Sequence, residues 1–366
     1  MQTMIDNRRV PHRAFVFLVP AILIESGIVT LPGDLSRIGG NWAWLAFLIG
    51  AGVVTLNIAL LVRLVLRHQG AEFHEVLQNL FGYWPGRLIL CVVGLVLVYR
   101  TAKILFVAAD LIMNQLLDRT PELAILIVVL LPVIYLAVQG FESIARFISI
   151  IAPFYYSLML VTVVLAIPHI NPLSLISPME YTYSGFLQAI WMTILESEGY
   201  VLLFLFIPWS WQMEKMMGPV MWGAGLAVLL VLSIMVAGVG VLEGSLDEYS
   251  WPTFQLVQVV GIPGLLFERI DAIFFLVWVF ALIDVLAITV FGAAHALSQG
   301  ITGRIDLPPF VLGVSLVGML LALWPRNVNQ FMEITSVLSL PLGGFEFVLP
   351  LVLWLMTLAK GGMLQR

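Results

Sequence analysis

The chain has 366 residues, of which 61% are apolar and only 11% charged, against about 25% charged in an average soluble protein. Its mean hydropathy is +1.04. A soluble domain must keep more polar surface than this, so the composition predicts a polytopic integral membrane protein and excludes a nucleic-acid binder, a secreted disulfide scaffold and a soluble enzyme. The single cysteine, Cys91, permits no internal disulfide, and the net charge of −5 says less than where the charges lie.

A membrane-crossing helix needs about 20 mostly apolar residues. That rule predicts ten spans, at 14–32, 42–66, 86–116, 122–138, 144–167, 184–208, 217–242, 268–299, 307–324 and 331–359. The first is taken to end at Pro32 and Asp34. Runs such as Ile125–Leu131 do not alternate in polarity, which argues against a barrel. Arg8, Arg9 and Arg13 precede the first span without a small-residue cleavage site, so no cleavable signal is expected. The short segment 71–81 is amphipathic and suits the membrane face. Eleven lysines and arginines fall on the side of both termini and three on the other, which predicts cytoplasmic termini.

Ten spans divide into five and five within one membrane domain, 1–366, as repeats over 8–167 and 182–360. The loop between them carries Pro168, Asn171, Pro172 and Pro178. The first helix of each half is interrupted, by Glu25-Ser26-Gly27 and by Glu196-Ser197-Glu198-Gly199. Backbone that breaks a helix at membrane depth survives where it is buried or lines a wet cavity. Freed amides of the second half-helices suit a carboxylate, and freed carbonyls of the first suit an ammonium or a cation.

Charged groups inside a membrane are costly and need partners. Arg100 and Lys103 share one face of the third span, and Glu25, Glu196 and Glu198 are natural partners, with Asp110 further along the same helix. Which acid pairs with which base stays open. Asp284 lies deep in the eighth span near Thr289 and can carry a proton or serve packing. Glu333 and Glu346 in the tenth span are similar candidates, with Glu333 toward the membrane surface, His295 is a weak one, and Glu268-Arg269-Ile270-Asp271 reads as a mainly structural group at the start of the eighth span. The chain has no phosphate-cradling loop, nucleophile elbow or metal-spaced Cys/His pair, so neither enzymatic activity nor a cofactor is expected.

Several stretches resemble a known family. They are Gly27-Ile28-Val29-Thr30-Leu31-Pro32, Leu80-Phe81-Gly82-Tyr83-Trp84-Pro85-Gly86, Asn171-Pro172, and Phe267-Glu268-Arg269-Ile270-Asp271-Ala272 running on to Trp278. Their order resembles the B-type subunit of spore germinant receptors, the GerAB-like spore germination permeases of the amino acid–polyamine–organocation superfamily. The resemblance implies an all-α fold of ten transmembrane helices in a LeuT-like five-plus-five inverted repeat, with helices 1 and 6 broken. It implies a sensor of a small nutrient germinant such as an amino acid, in the spore inner membrane or the cell membrane, assembled with A-type and C-type receptor subunits. Carried onto this chain, the ligand would meet Ser26, Gly27 and Ile28 at the first break, Ser197, Glu198 and Gly199 at the second, and Tyr99 and Thr289 from helices 3 and 8. Glu25, Arg100, Lys103, Glu196 and Asp284 would form a charge network or couple protons. A proton-coupled amino-acid permease is the alternative, with Asp284 or Glu196 as proton carrier, and an assembly component with a vestigial cavity is a third reading. So many charges at the cavity suit a polar or charged ligand.

Overall fold

The structure, a computed structural model, describes residues 10–24, 27–176, 182–242, 245–246, 249–260 and 270–361. These form helices α1 (Phe15–Ile24), α2 (Gly27–Gly39), α3 (Ala43–Arg67), α4 (Phe73–Phe81), α5 (Tyr83–Gln115), α6 (Glu122–Gln139) and α7 (Phe141–Ala166). After them come α8 (Tyr183–Glu196), α9 (Leu202–Phe206), α10 (Met217–Leu242), α11 (Pro252–Val259), α12 (Ile270–Thr302), α13 (Leu307–Ala322) and α14 (Val328–Ala359). Seven helical stretches among the described residues are long and apolar enough to cross a membrane, and His12–Ile24 and Leu307–Ala322 are shorter apolar helices. The protein is an integral membrane protein.

Local chemistry sets the corners. Glu72 and Glu75 close a capping box at the start of α4, the amphipathic segment expected there. Gly82 and Gly140 take φ of +92° and +97°. That region is open to glycine, so α4 turns into α5 and α6 into α7 at a single residue. Arg87 caps the far end of α12, donating through Nε to the Gly300 carbonyl at 2.9 Å.

The core centres on α5 and α12, which pack face to face. A β-carbon on Gly94 would collide with Leu297, and one on Gly300 with Cys91, so small residues let the two backbones approach. By contrast α6 and α7 expose Leu131, Phe154 and Val164, as expected of helices bordering lipid.

Pro32 does not end the first helix, contrary to the sequence expectation. α2 runs through it to Gly39. A proline lacks the N–H that would bond the carbonyl four residues back, here Ile28. Thr253 Oγ1, on α11, donates to that carbonyl at 2.6 Å instead. The loop between the expected repeats carries a 3-10 turn at Ile167–His169, and Asn171 N donates to the Gly240 carbonyl at 2.8 Å, fixing it to α10. Glu25, Ser26, Pro178, Glu268 and Arg269 lie outside the described residues.

At the end where the chain starts, Val10 pairs with the segment after α9. Its N–H donates to the Trp209 carbonyl at 3.0 Å and its carbonyl accepts from Trp211 N at 3.1 Å. Trp209, Phe206, Phe141 and Phe291 stack beneath this pairing and close that end of the bundle.

Candidate functional site

The second helix break is built locally and then locked from a distance. α8 stops at Glu196, where the Ser197 hydroxyl donates to the Thr193 carbonyl at 2.7 Å. Gly199 follows at φ +88°, and α9 resumes at Leu202. The freed amide of Gly199 donates to Glu346 Oε2 of α14 at 2.7 Å. α14 can come this close because Gly343 lies directly against the Leu195 backbone. From α5, Arg100 fills the space beside Gly199 where a β-carbon would stand, and donates through Nη2 to the Ile22 carbonyl at 2.5 Å.

One turn further along α5, Lys103 meets both acids of the break. Its Nζ lies 2.9 Å from Glu198 Oε2 and 3.3 Å from Glu196 Oε2. Two carboxylates therefore share one ammonium in a setting where buried charge requires a partner. Glu198 Oε1 is buried with no hydrogen-bond partner. Glu196 is the more open of the two acids, with 16% of its side chain exposed against 3% for Glu198.

That opening belongs to a cavity of about 730 Å³ between α2, α5, α8 and α14, with Lys103 and Glu196 deep within it. Gly27, Thr30, Asp34 and Arg37 line one wall, and Thr335, Ser336 and Glu333 the opposite one. A second cavity of about 60 Å³ shares Gly27, Thr30, Asp34 and Glu196 and reaches Ile28, Ser197 and Thr55. Asp34 stands 3.8 Å from Arg37 on the same helix. α11 packs on α2, with Pro252 against Gly33, and Trp251 Nε1 donates to Asp110 Oδ2 at 3.0 Å.

The whole chain can be compared with known proteins. Residues 9–331 match the family model described as "Spore germination protein" (Spore_permease). The chain belongs to the spore germination protein family. It is 23% identical over 322 residues to spore germination protein YndE of Bacillus subtilis (strain 168), covering 87% of each chain. It is 22% identical over 356 residues to spore germination protein A2 of the same organism, covering 94% of each. Among solved structures it resembles a Na+-coupled sialic acid symporter, with TM-score 0.69, 11% identity and coverage of 93% of this chain and 78% of that one. It also resembles MhsT in complex with L-phenylalanine, with TM-score 0.67, 15% identity and coverage of 92% and 88%. At such identities the likeness establishes the fold, that of LeuT-type transporters, and no more.

Within this germination-family fold the expected site residues divide. Gly27, Ile28, Ser197 and Glu196 line the two cavities, with Lys103, Glu198, Gly199 and Arg100 at or directly behind the break. Tyr99 reaches toward the α14 wall, its hydroxyl donating to Thr335 Oγ1 at 3.5 Å. Thr289 is fully buried in α12 and lines neither of these two cavities. Asp284 stands apart from the charged cluster. It borders a separate cavity of about 10 Å³, room for about one water, with Ala21, Ile24, Tyr155, Tyr156 and Trp278. His295 packs edge-on against Trp209 at the closed end. Glu25 and Ser26 fall outside the described residues. Among the described residues, no group of three or more His, Cys, Asp or Glu is placed to hold a metal ion.

Sequence reasoning missed the walls. Gly27, Thr30, Asp34 and Arg37 recur at helical spacing on α2 and form one polar stripe. The stripe needs α2 to continue past Pro32, where the sequence reading ends the first span, so only Gly27 of the four is an expected site residue. Trp191 and Met192 complete the apolar part of the cavity.

Proposed function

We propose that this chain is the germinant-sensing membrane subunit of a spore germination receptor, binding a small nutrient, an amino acid or similar, near mid-membrane. The observation that carries this reading is the large cavity that runs to the Glu196 carboxylate of a broken helix. In this reading the chain crosses the membrane ten times, as two inverted repeats of five with both termini cytoplasmic, so the cavity opens away from the cytoplasm. The ligand favours one state of the bundle by its differential affinity and so biases contacts with A-type and C-type subunits. Ser26, Gly27, Ile28, Tyr99, Ser197, Glu198 and Gly199 are the proposed ligand surroundings. The test is deletion of the gene in its source organism, scoring loss of spore refractility against a panel of nutrients. Loss of one response, restored by a wild-type copy, is the expected result, and germination untouched across the panel sinks the reading.

A proton-coupled permease is the second reading, favoured by the fold shared with symporters and by the buried Asp284 carboxylate. It requires counterflow of labelled substrate by the purified chain in liposomes, which the sensing reading does not.

A further inference from the structure

The half-helix ends that would clasp a zwitterion are already engaged by the protein itself. The Ile22 carbonyl, two residues before α1 ends, accepts from the Arg100 guanidinium. The Gly199 amide donates to the Glu346 carboxylate. Arg100 also fills the space beside Gly199. A cation and an anion of the chain thus stand at the two backbone positions where a ligand's ammonium and carboxylate are expected.

Recognition then falls to what remains open to the cavity. Glu196 is the acid that reaches it, and the single ammonium of Lys103 serves both Glu196 and Glu198, leaving that trio one negative charge in excess. Glu198 Oε1 is buried without a hydrogen-bond partner beside Lys103, so this acid is held there by the ammonium on one oxygen only. Asp34 and Glu333 line the walls against Arg37. Among the described lining residues, acids outnumber bases, and a cleft with low-dielectric walls concentrates the opposite charge.

We propose that the ligand is a small amine whose ammonium is held by the Glu196 carboxylate, in place of the contact Lys103 makes there. Lys103 then stays with Glu198, its closer partner, and one shared cation becomes two ion pairs. Thr30, Thr335 and Ser336 are the polar groups available to the rest of the molecule. This inference rests on the sensing reading and names the chemistry that the same cavity accepts.

The test is equilibrium binding to the full chain in lipid nanodiscs, with tritiated L-alanine and L-lysine as probes. N-acetyl-L-alanine, succinate and glucose serve as competitors. At least one amine is expected to bind. N-acetyl-L-alanine should compete at least about tenfold more weakly than L-alanine, since it lacks the charged donor. E196Q should weaken the bound amine by about ten- to a hundredfold, the range for losing one hydrogen bond to a charged group. The competitor comparison uses the wild-type chain, so it decides the matter even if E196Q misfolds. Binding of N-acetyl-L-alanine, succinate or glucose as tight as that of the amines overturns the inference, and so does failure of both amines to bind. If the gene deletion still removes a nutrient response, the sensing reading survives that failure. If the deletion changes nothing, the sensing reading falls by itself.

Discussion

The guanidinium of Arg100 stands where a β-carbon on Gly199 would be. Gly199 also holds φ at +88°, a conformation costing other L residues roughly 1–2 kcal/mol. G199A should therefore be destabilised by more than that figure, because Arg100 must also leave the Ile22 carbonyl. Thermal unfolding in detergent reads this, with G52A as control. Gly52 has open space around its Cα, so alanine there should be neutral or mildly stabilising.

Removing the shared cation should cost more than removing the charges around it. K103M leaves Glu196 and Glu198 facing each other, and breaking a buried pair in this way costs about 3–5 kcal/mol. The triple variant K103M/E196Q/E198Q should recover most of the lost stability. An equal loss in single and triple variants would mean that Lys103 matters for packing and not for charge.

Thr253 and Pro32 should show measurable coupling. T253V strands the Ile28 carbonyl that Pro32 leaves open, at a cost of about 1–3 kcal/mol. In a P32A background the helix regains its own N–H donor, so the same T253V change should cost less. A double-mutant cycle on thermal stability measures the difference, and strict additivity would refute the link.

His68 offers a pH signature outside the spanning helices. The residue is 6% exposed, with Nε2 3.1 Å from Thr357 Oγ1. Burial, and then the neighbouring Arg67 charge, lower its pKa below the ordinary 6.5. The unfolded chain thus binds this proton more readily than the folded one. This contribution to stability is complete above about pH 6.5 and is lost as pH falls through the lowered folded value. H68Q should flatten the decline in unfolding temperature between pH 7.5 and pH 5.

The second break was readable because Glu196, Ser197, Glu198 and Gly199 interrupt an otherwise apolar run, a local signal needing no partner to be seen. The extent of α2 was not, since the helix passes Pro32 with the help of Thr253, 225 residues away from Ile28. Glu346 was noticed as a buried acid, yet its role depends on Gly199, 147 residues earlier in the chain. Local patterning therefore located the charges at the break, while long-range hydrogen bonds decided which backbone groups stayed open. Asp284 is the converse case. The sequence marks it as a lone acid deep in its span, and the packing of α12 against α1 and α7 sets it in a small pocket of its own.

The strand-like pairing of Val10 with residues 209–211 ties the segment before α1 to the segment after α9. Only α9 and the 3-10 turn Ile207–Trp209 separate that pairing from Gly199. In the proposed sensing reading, a shift of the Gly199 backbone would pass along this short segment to Val10. In that reading an occupant beside the break would be felt at Val10 with no solute having to cross.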